Sequence, residues 1–206
     1  MIDALKRKGR NDMYLFDEMP YLKNEKIELR KIAPEDAPQF GAFSKERSVY
    51  TYLPAFLYEQ KYQDPLFAIN HMQEECFDTE ESILMGIYPA EDPGSFMGIA
   101  EFYDYDRRKN KVSIGCRLAR EYWYQGIAYQ AICLMLKYLE QKIRIRTVTL
   151  HIMVHNKASQ KLAQKLGFEK KYENIWEDWG REGPVLVDKY VFQYKENPKM
   201  SIEKSV

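Results

Sequence analysis

The sequence predicts an α/β protein with one mixed sheet that is mostly antiparallel and contains one parallel pair. Apolar and polar residues alternate along 112–118 and again along 146–154, which is the period of a half-buried strand. Between these stretches, Ala128, Ala131 and Met135 recur at helical spacing. Strand, helix and strand in this order form a βαβ unit, so the two strands are expected to be parallel.

The remaining elements flank this βαβ unit. A first strand is expected within 25–32, and Pro34 followed by two acidic residues marks the start of a helix. The other predicted elements are a helix within 63–80, strands at 83–88 and 96–103 that form a hairpin, a helix from Asn156, and strands at 170–175 and 186–194. The sequence therefore predicts about seven strands and about four helices.

The length of the chain predicts a single domain, because 206 residues are enough for one hydrophobic core and few for two. We assign residues 25–195 to this domain. Residues 1–24 are interpreted as an N-terminal arm that packs on the domain or on a second subunit. Residues 196–206 are interpreted as a polar C-terminal tail.

Composition argues against several classes of protein. Lys plus Arg and Asp plus Glu both number 31, so no net charge would attract nucleic acid or an anionic membrane. The three cysteines have no CxxC spacing, which predicts neither a disulfide framework nor a metal site. The sequence contains no apolar leader and no membrane-spanning run. A cytoplasmic monomer or homodimer is therefore expected.

A glycine-containing turn joins the first strand of the βαβ unit to its helix. This turn, Tyr122 to Ala128, reads YWYQGIA. The first N–H groups of a helix lack internal partners, and the helix dipole adds about half a positive charge there. Small residues at Gly126 and Ala128 would let a phosphate approach these groups. The turn is a candidate pyrophosphate site, although such turns also occur simply as connections.

A second motif follows the second strand. Asn156 is a favourable N-cap, and the pattern N-x-x-S-x-x-L-x-x-x-L-G-F runs from it to Phe168. Together the turn and this pattern resemble the two core motifs of the GNAT superfamily of N-acetyltransferases, and within it the RimJ/RimL-like branch. The usual Gln/Arg-x-x-Gly-x-Gly/Ala pattern is matched at Gly126 and Ala128, whereas Trp123 stands where Gln or Arg is common.

The resemblance implies the GNAT fold, in which the central parallel strands splay near Gly115, and an acetyl-CoA site. Gly115 is otherwise expected to be a plain β-bulge. The pyrophosphate would lie on the amides of 125–128 and the pantetheine arm along the strand 114–118. The residues expected to bind acetyl-CoA are Cys116, Arg117, Leu118, Tyr124, Gln125, Gly126, Ile127, Ala128, Asn156 and Ser159.

The resemblance also implies catalytic candidates. Ser159 takes the position of a serine near the CoA sulfur, where its hydroxyl would protonate or orient the departing thiolate; otherwise it only supports the helix cap. Asn156 is a cap whose amide could reach the pantetheine. Glu101 is the candidate general base, or else a solvated strand residue. His151 and His155 are weaker candidates for this base.

The expected reaction is direct attack of a primary amine on acetyl-CoA in a ternary complex. No residue is typical of a covalent nucleophile, and Cys116 is expected to be buried and structural. A backbone N–H near Cys116 or Arg117 would stabilise the oxyanion. The acceptor would be a protein N-terminus or a small amine; the alternative is a non-catalytic CoA-binding module.

The sequence does not decide the roles of two aromatic segments. The segment 47–63 contains five aromatic residues around Pro54 and is expected either to pack on the core or to form one wall of an acceptor pocket. Trp176, Trp179 and Tyr190 near the last hairpin have the same two alternatives.

Overall fold

The computed structural model describes residues 13–194. Eight strands in this part of the chain form one sheet. The strands are β1 Leu22–Lys23, β2 Ile27–Arg30, β3 Ser82–Pro89, β4 Gly98–Asp106, β5 Lys111–Leu118, β6 Thr147–Met153, β7 Glu169–Glu177 and β8 Val185–Gln193. Their spatial order is β1-β2-β3-β4-β5-β6-β8-β7. All neighbours are antiparallel except β5 and β6, which are parallel. The predicted fold class is therefore confirmed.

Helices connect the strands at three places in the chain. They are α1 Ala37–Ser44, α2 Tyr58–Lys61, α3 Pro65–Asn70, α4 Cys76–Asp78, α5 Ile127–Tyr138 and α6 Lys157–Lys165. A π-helical turn, His71–Glu75, joins α3 to α4, so the helix predicted across 63–80 is continuous in space but irregular in its middle. The sequence did not predict α2, which lies within the aromatic segment 47–63.

The sheet buries apolar residues on both faces. Alternate residues of β3 belong to two separate clusters, because successive side chains of a strand point to opposite faces. Ile83, Met85 and Ile87 pack with α5, whereas Leu84 and Tyr88 pack with α1 and α3. The helix that follows the candidate phosphate turn is thus held in position by the larger of the two clusters.

The residues just before the domain also contribute to this core. Leu15 is fully buried and Phe16 nearly so, both in the cluster that includes α5. Leu22 and Lys23 extend the sheet as β1. Residues 13–24 of the expected arm therefore pack on the domain, whereas residues 1–12 and the expected tail 196–206 lie outside the described residues.

The parallel pair is short. β5 and β6 pair only at Lys111–Thr147, Val112–Val148 and Ser113–Thr149, and the last rung includes a hydrogen bond of 2.8 Å between the Ser113 and Thr149 hydroxyls. Beyond this rung β5 and β6 diverge, as the resemblance implied. Gly115 itself is paired in regular register with Glu101 of β4, so it is not a bulge.

Candidate active site

A cleft of about 580 Å³ opens where β5 and β6 separate. Its walls come from β4, β5, β6, the first turns of α5 and α6, and two loops near Phe56 and Trp179. Among the expected site residues, the cleft brings together Glu101, Cys116, Arg117, Ala128, Asn156 and Ser159. The remaining five, Leu118, Tyr124, Gln125, Gly126 and Ile127, do not line it and lie along the end of β5 and the turn into α5.

The turn into α5 exposes main chain. Gly126 has a left-handed φ of 79°, and a Cβ built there would meet nothing within 4 Å. No side chain caps the helix, and its first backbone bond runs from the Gln130 N–H to the Gly126 carbonyl. The Tyr124 side chain is 93% exposed, and the Gln125 side-chain amide donates to the Glu121 carbonyl at 2.6 Å. No side chain of residues 13–194 therefore plugs the open end of α5.

Just beyond the last β5–β6 rung, the main chain of β5 directs the Cys116 N–H into the gap. The Ala119 N–H donates to the Met97 carbonyl at 2.9 Å, on the β4 side. Because backbone groups alternate between the two edges of a strand, the Arg117 N–H also faces β4, whereas the Cys116 N–H faces β6. Cys116 lies beyond the last β5–β6 rung. Of the two proposed oxyanion donors, the geometry therefore favours Cys116.

The Arg117 side chain is committed to a buried ion network. Its guanidinium contacts the Glu59 carboxylate with Nε and, at 3.1 Å, with Nη2, while Nη1 donates to Glu101 Oε2 at 2.7 Å. The side chains of Arg117 and Glu59 are 4% and 0% exposed. Burial raises the pKa of Glu101 above its usual value, although Arg117 opposes that shift. This network fixes Glu101 at the wall of the cleft.

Ser159 and Asn156 lie together at the start of α6. The Asn156 side chain accepts a hydrogen bond from the Ser159 N–H at 3.1 Å, so Asn156 is the N-cap that the sequence predicted. The Ser159 hydroxyl has no hydrogen-bond partner within residues 13–194 and borders the cleft. The serine hydroxyl is thus available to a ligand, because the asparagine alone supplies the cap.

The cysteine and histidine candidates have distinct environments. Burial raises the pKa of the Cys116 thiol to about 12, which keeps the thiol protonated and unreactive. His151 borders the cleft and hydrogen-bonds through Nδ1 to Glu177 at 3.2 Å. His155 is exposed and does not line the cleft.

Aromatic side chains close the far side of the cleft. Tyr52 and Phe56 from the segment 47–63 face it together with Trp179 from the β7–β8 connection. The Ala55 N–H donates to the Trp179 carbonyl at 2.8 Å, which joins the two segments. Trp176, by contrast, is exposed, and Tyr190 is fully buried in the core.

A single arginine locks these two segments together. The Arg181 guanidinium donates to the backbone carbonyls of Tyr50 at 2.7 Å, Thr51 at 3.0 Å and Leu53 at 2.6 Å. Because Arg181 follows β7 whereas the carbonyls precede α2, the contact joins regions that are distant in sequence. The aromatic wall of the cleft is therefore one connected structure.

Comparison with known proteins identifies the class of protein as an N-acetyltransferase. The model of the family described as "Acetyltransferase (GNAT) domain" matches residues 26–169. This match covers more than half of the chain, and the chain therefore belongs to the GNAT acetyltransferase family, as the motifs implied. The RimJ/RimL-like branch is likewise supported.

Relatives and solved structures agree with this assignment. The uncharacterized N-acetyltransferase p20 of Bacillus licheniformis is 24% identical over 176 residues, covering 84% of this chain and 95% of that protein. RimL, a ribosomal L7/L12 α-N-protein acetyltransferase solved with coenzyme A, superposes with a TM-score of 0.70 at 15% identity, covering 84% of this chain and 98% of its own. Spermidine N-acetyltransferase from Vibrio cholerae, solved with CoA and spermine, gives 0.68 at 16% identity, covering 82% and 96%.

No helix within residues 13–194 combines the length and apolarity needed to cross a membrane. The same part of the chain contains no cluster of three or more side chains suited to hold a metal ion.

Proposed function

We propose that this N-acetyltransferase transfers the acetyl group of acetyl-CoA to a cationic primary amine by direct attack in a ternary complex. The observation that carries the proposal is the cleft, which connects the gap between β5 and β6 to an aromatic and acidic wall. The end at the gap suits a thioester, with the open turn into α5 beside it for the diphosphate, and the other end suits an amine. The fold leaves both ends open to each other.

The cofactor end fits acetyl-CoA. The uncapped N–H groups of α5 and the open space at Gly126 would hold the pyrophosphate without a lysine. The divergent part of β5 would take the pantetheine arm, with the Cys116 N–H directed at the thioester oxygen. Ser159 would then donate a proton to the departing thiolate or orient it.

The acceptor end fits a protonated amine. Glu101, Asp104, Glu177 and Asp178 line the cleft. Arg117, the arginine of the cleft wall, is neutralised by Glu59 and Glu101. The faces of Tyr52, Phe56 and Trp179 favour cations as well. The acidic wall would thus concentrate a cationic amine, either a polyamine or the N-terminus of a peptide.

A screen for acceptors tests the reaction. Acetyl-CoA is incubated with polyamines and with peptides that have free N-termini, and released thiol is measured against a blank without amine. N-acetylated copies of the same peptides serve as matched controls, because they lack the nucleophile. We expect thiol release with at least one free amine and none with its acetylated copy.

Calorimetric titration with acetyl-CoA separates the alternatives. Binding without thiol release for any amine would favour the non-catalytic CoA-binding module. Absence of binding would refute the acetyl-CoA site itself.

Replacement of the serine tests the proton donor. Ser159→Ala should lower kcat by about tenfold to 10²-fold while acetyl-CoA affinity stays within about threefold, because proton transfer acts on the transition state. Ser48→Ala, far along the chain and bonded to Glu46, is a matched control. Turnover within about twofold of the unmodified enzyme would exclude proton donation by Ser159.

A further inference from the structure

His151 lines the cleft, and one nitrogen of its ring makes no hydrogen bond within residues 13–194. Its Nδ1 is bonded to Glu177 Oε2 at 3.2 Å, and its side chain is 14% exposed. The other nitrogen, Nε2, is buried and has no hydrogen-bond partner within residues 13–194. A buried polar atom without a partner is uncommon in a folded protein and requires an explanation.

The bond to Glu177 determines which nitrogen of His151 carries the proton. Trp179 Nε1 donates to the Glu177 carboxylate at 2.9 Å, and Lys189 Nζ lies 2.9 Å from it. Burial favours a higher pKa for Glu177, but these donors hold it below its usual value. An ionised carboxylate only accepts hydrogen bonds, so Nδ1 carries the hydrogen and Nε2 has the free lone pair.

The sheet places His151 in one row with Glu101. Glu101 pairs with Gly115 across β4 and β5. Gly115 and His151 each lie two residues beyond the Ser113–Thr149 rung, so they are on the same face as the bonded Ser113 and Thr149 hydroxyls, on either side of the gap. Gly115 has no side chain, and the Tyr103 ring and the Glu101 carboxylate border the space above it, 3.7 Å and 3.9 Å from where a Cβ would lie.

Burial keeps the ring of His151 neutral. Burial lowers the pKa of His151 below its usual value, Lys189 lowers it too, and the carboxylates of Glu177 and Asp104 only partly oppose this. At neutral pH the ring is therefore a free base. Glu101, by contrast, already accepts a hydrogen bond from Arg117, so protonating it would weaken a buried ion pair.

We propose that His151 is the general base of the reaction and that Glu177 positions it. The inference rests on the proposed function. His151 Nε2 takes one proton from the acceptor ammonium, and the freed nitrogen lone pair attacks the thioester carbonyl carbon. The tetrahedral intermediate expels the CoA thiolate as the C–S bond breaks. The Ser159 hydroxyl gives its proton to the thiolate and regains one from the second nitrogen proton, and His151 returns its proton to solvent.

Kinetics with the acceptor found in the screen, with spermidine as the first probe, test the proposal. His151→Gln should lower kcat/KM at pH 7 by about 10²-fold or more, with acetyl-CoA affinity unchanged. The deficit should shrink as pH rises past the pKa of the acceptor amine, because that amine then loses its proton to solvent. His155→Gln is the matched control and should stay within about twofold of the unmodified enzyme, since it replaces an exposed histidine outside the cleft.

Nuclear magnetic resonance of the ligand-free protein gives an independent readout. The His151 ring should be protonated at Nδ1 at pH 7, and Glu177→Gln should lower the His151 pKa further by removing the opposing negative charge. Either activity of His151→Gln within about threefold at pH 7, or a deficit that is constant with pH, would overturn the base assignment. A proton on Nε2 would overturn it too. If the unmodified enzyme acetylates no amine, the proposed function fails instead.

Discussion

The two ends of the cleft are built from different parts of the chain. At the α5 end, the expected ligand groups are backbone N–H groups, and Gly126 contributes by its backbone angle and the absence of a side chain. At the acceptor end, the chemistry lies in side chains such as Arg117 and His151, which are held by partners far away in sequence. The first end should therefore tolerate substitutions that preserve its backbone, and the second should not.

The largest expected effect comes from the buried ion network of the acceptor end. Arg117→Met leaves the Glu59 and Glu101 carboxylates without their cation, so the free energy of unfolding should fall by about 3–5 kcal/mol at pH 8. The loss should be smaller at pH 5, because the pKa of Glu101 is raised by burial and its protonated carboxyl would need no cation. Urea unfolding measures both values.

An exposed ion pair provides the control for this substitution. Lys109→Met removes the partner of Asp106 on the surface, where the lysine is 78% exposed, and should lower the free energy of unfolding far less than Arg117→Met does. If Arg117→Met cost no more than that, the acceptor end would not depend on the network and the contrast between the two ends would fail.

The next largest effect concerns the backbone of the cofactor end. Gly126→Glu should weaken acetyl-CoA binding by about 10²-fold or more, because it adds a carboxylate where the pyrophosphate is expected and strains a left-handed residue. Gly126→Ala keeps most of the strain without the charge and should weaken binding less. Calorimetry compares the acetyl-CoA affinities of the two variants. If Gly126→Glu bound acetyl-CoA as tightly as the unmodified protein, the pyrophosphate would not bind at this turn.

A smaller effect is expected in the pH dependence of stability. The pKa of His151 is lowered by folding, so its contribution to stability is present above pH 6.5 and is lost as pH falls through the folded pKa. Between pH 7 and 5.5 the unmodified protein should therefore lose more stability than His151→Gln, by less than about 1.4 kcal/mol. Urea titrations at the two pH values measure this difference, and an equal loss in both proteins would contradict it.

The smallest effect is expected at the exposed side chain of the turn. Tyr124→Ala should change acetyl-CoA affinity by less than about threefold, because the tyrosine is 93% exposed and the backbone would make the contacts. A loss of acetyl-CoA affinity of tenfold or more would show that the cofactor end also depends on side chains. The difference between the two ends would then be smaller than the structure indicates.

Much of the sheet and of the cofactor end could be predicted because their signals are local. The alternation along β5, the alternation along β6 and the Gly126 turn are each carried by a few consecutive residues. The first strand, β1, could not be predicted, because two residues are too few to show an alternation of apolar and polar side chains. The burial of Leu15 is likewise determined by the core it meets rather than by its neighbours in the chain.

The side-chain partners at the acceptor end depend on contacts that no local pattern reveals. Glu59 reaches Arg117 across 58 positions, and Glu177 reaches His151 across 26. The motif match placed Arg117 in the cleft but gave no indication that its side chain is neutralised. Nothing in the sequence distinguished His151 from His155, because the difference is burial beside a carboxylate.

The Arg181 clamp has a consequence for engineering acceptor specificity. Its hydrogen bonds to Tyr50, Thr51 and Leu53 make the segment before α2 and the β7–β8 connection a single exchangeable module. Grafting one segment alone from a relative would leave three carbonyls without the Arg181 donor and displace Trp179 relative to Phe56. Chimaeras that swap both segments together should keep their shape and carry the donor's choice of amine.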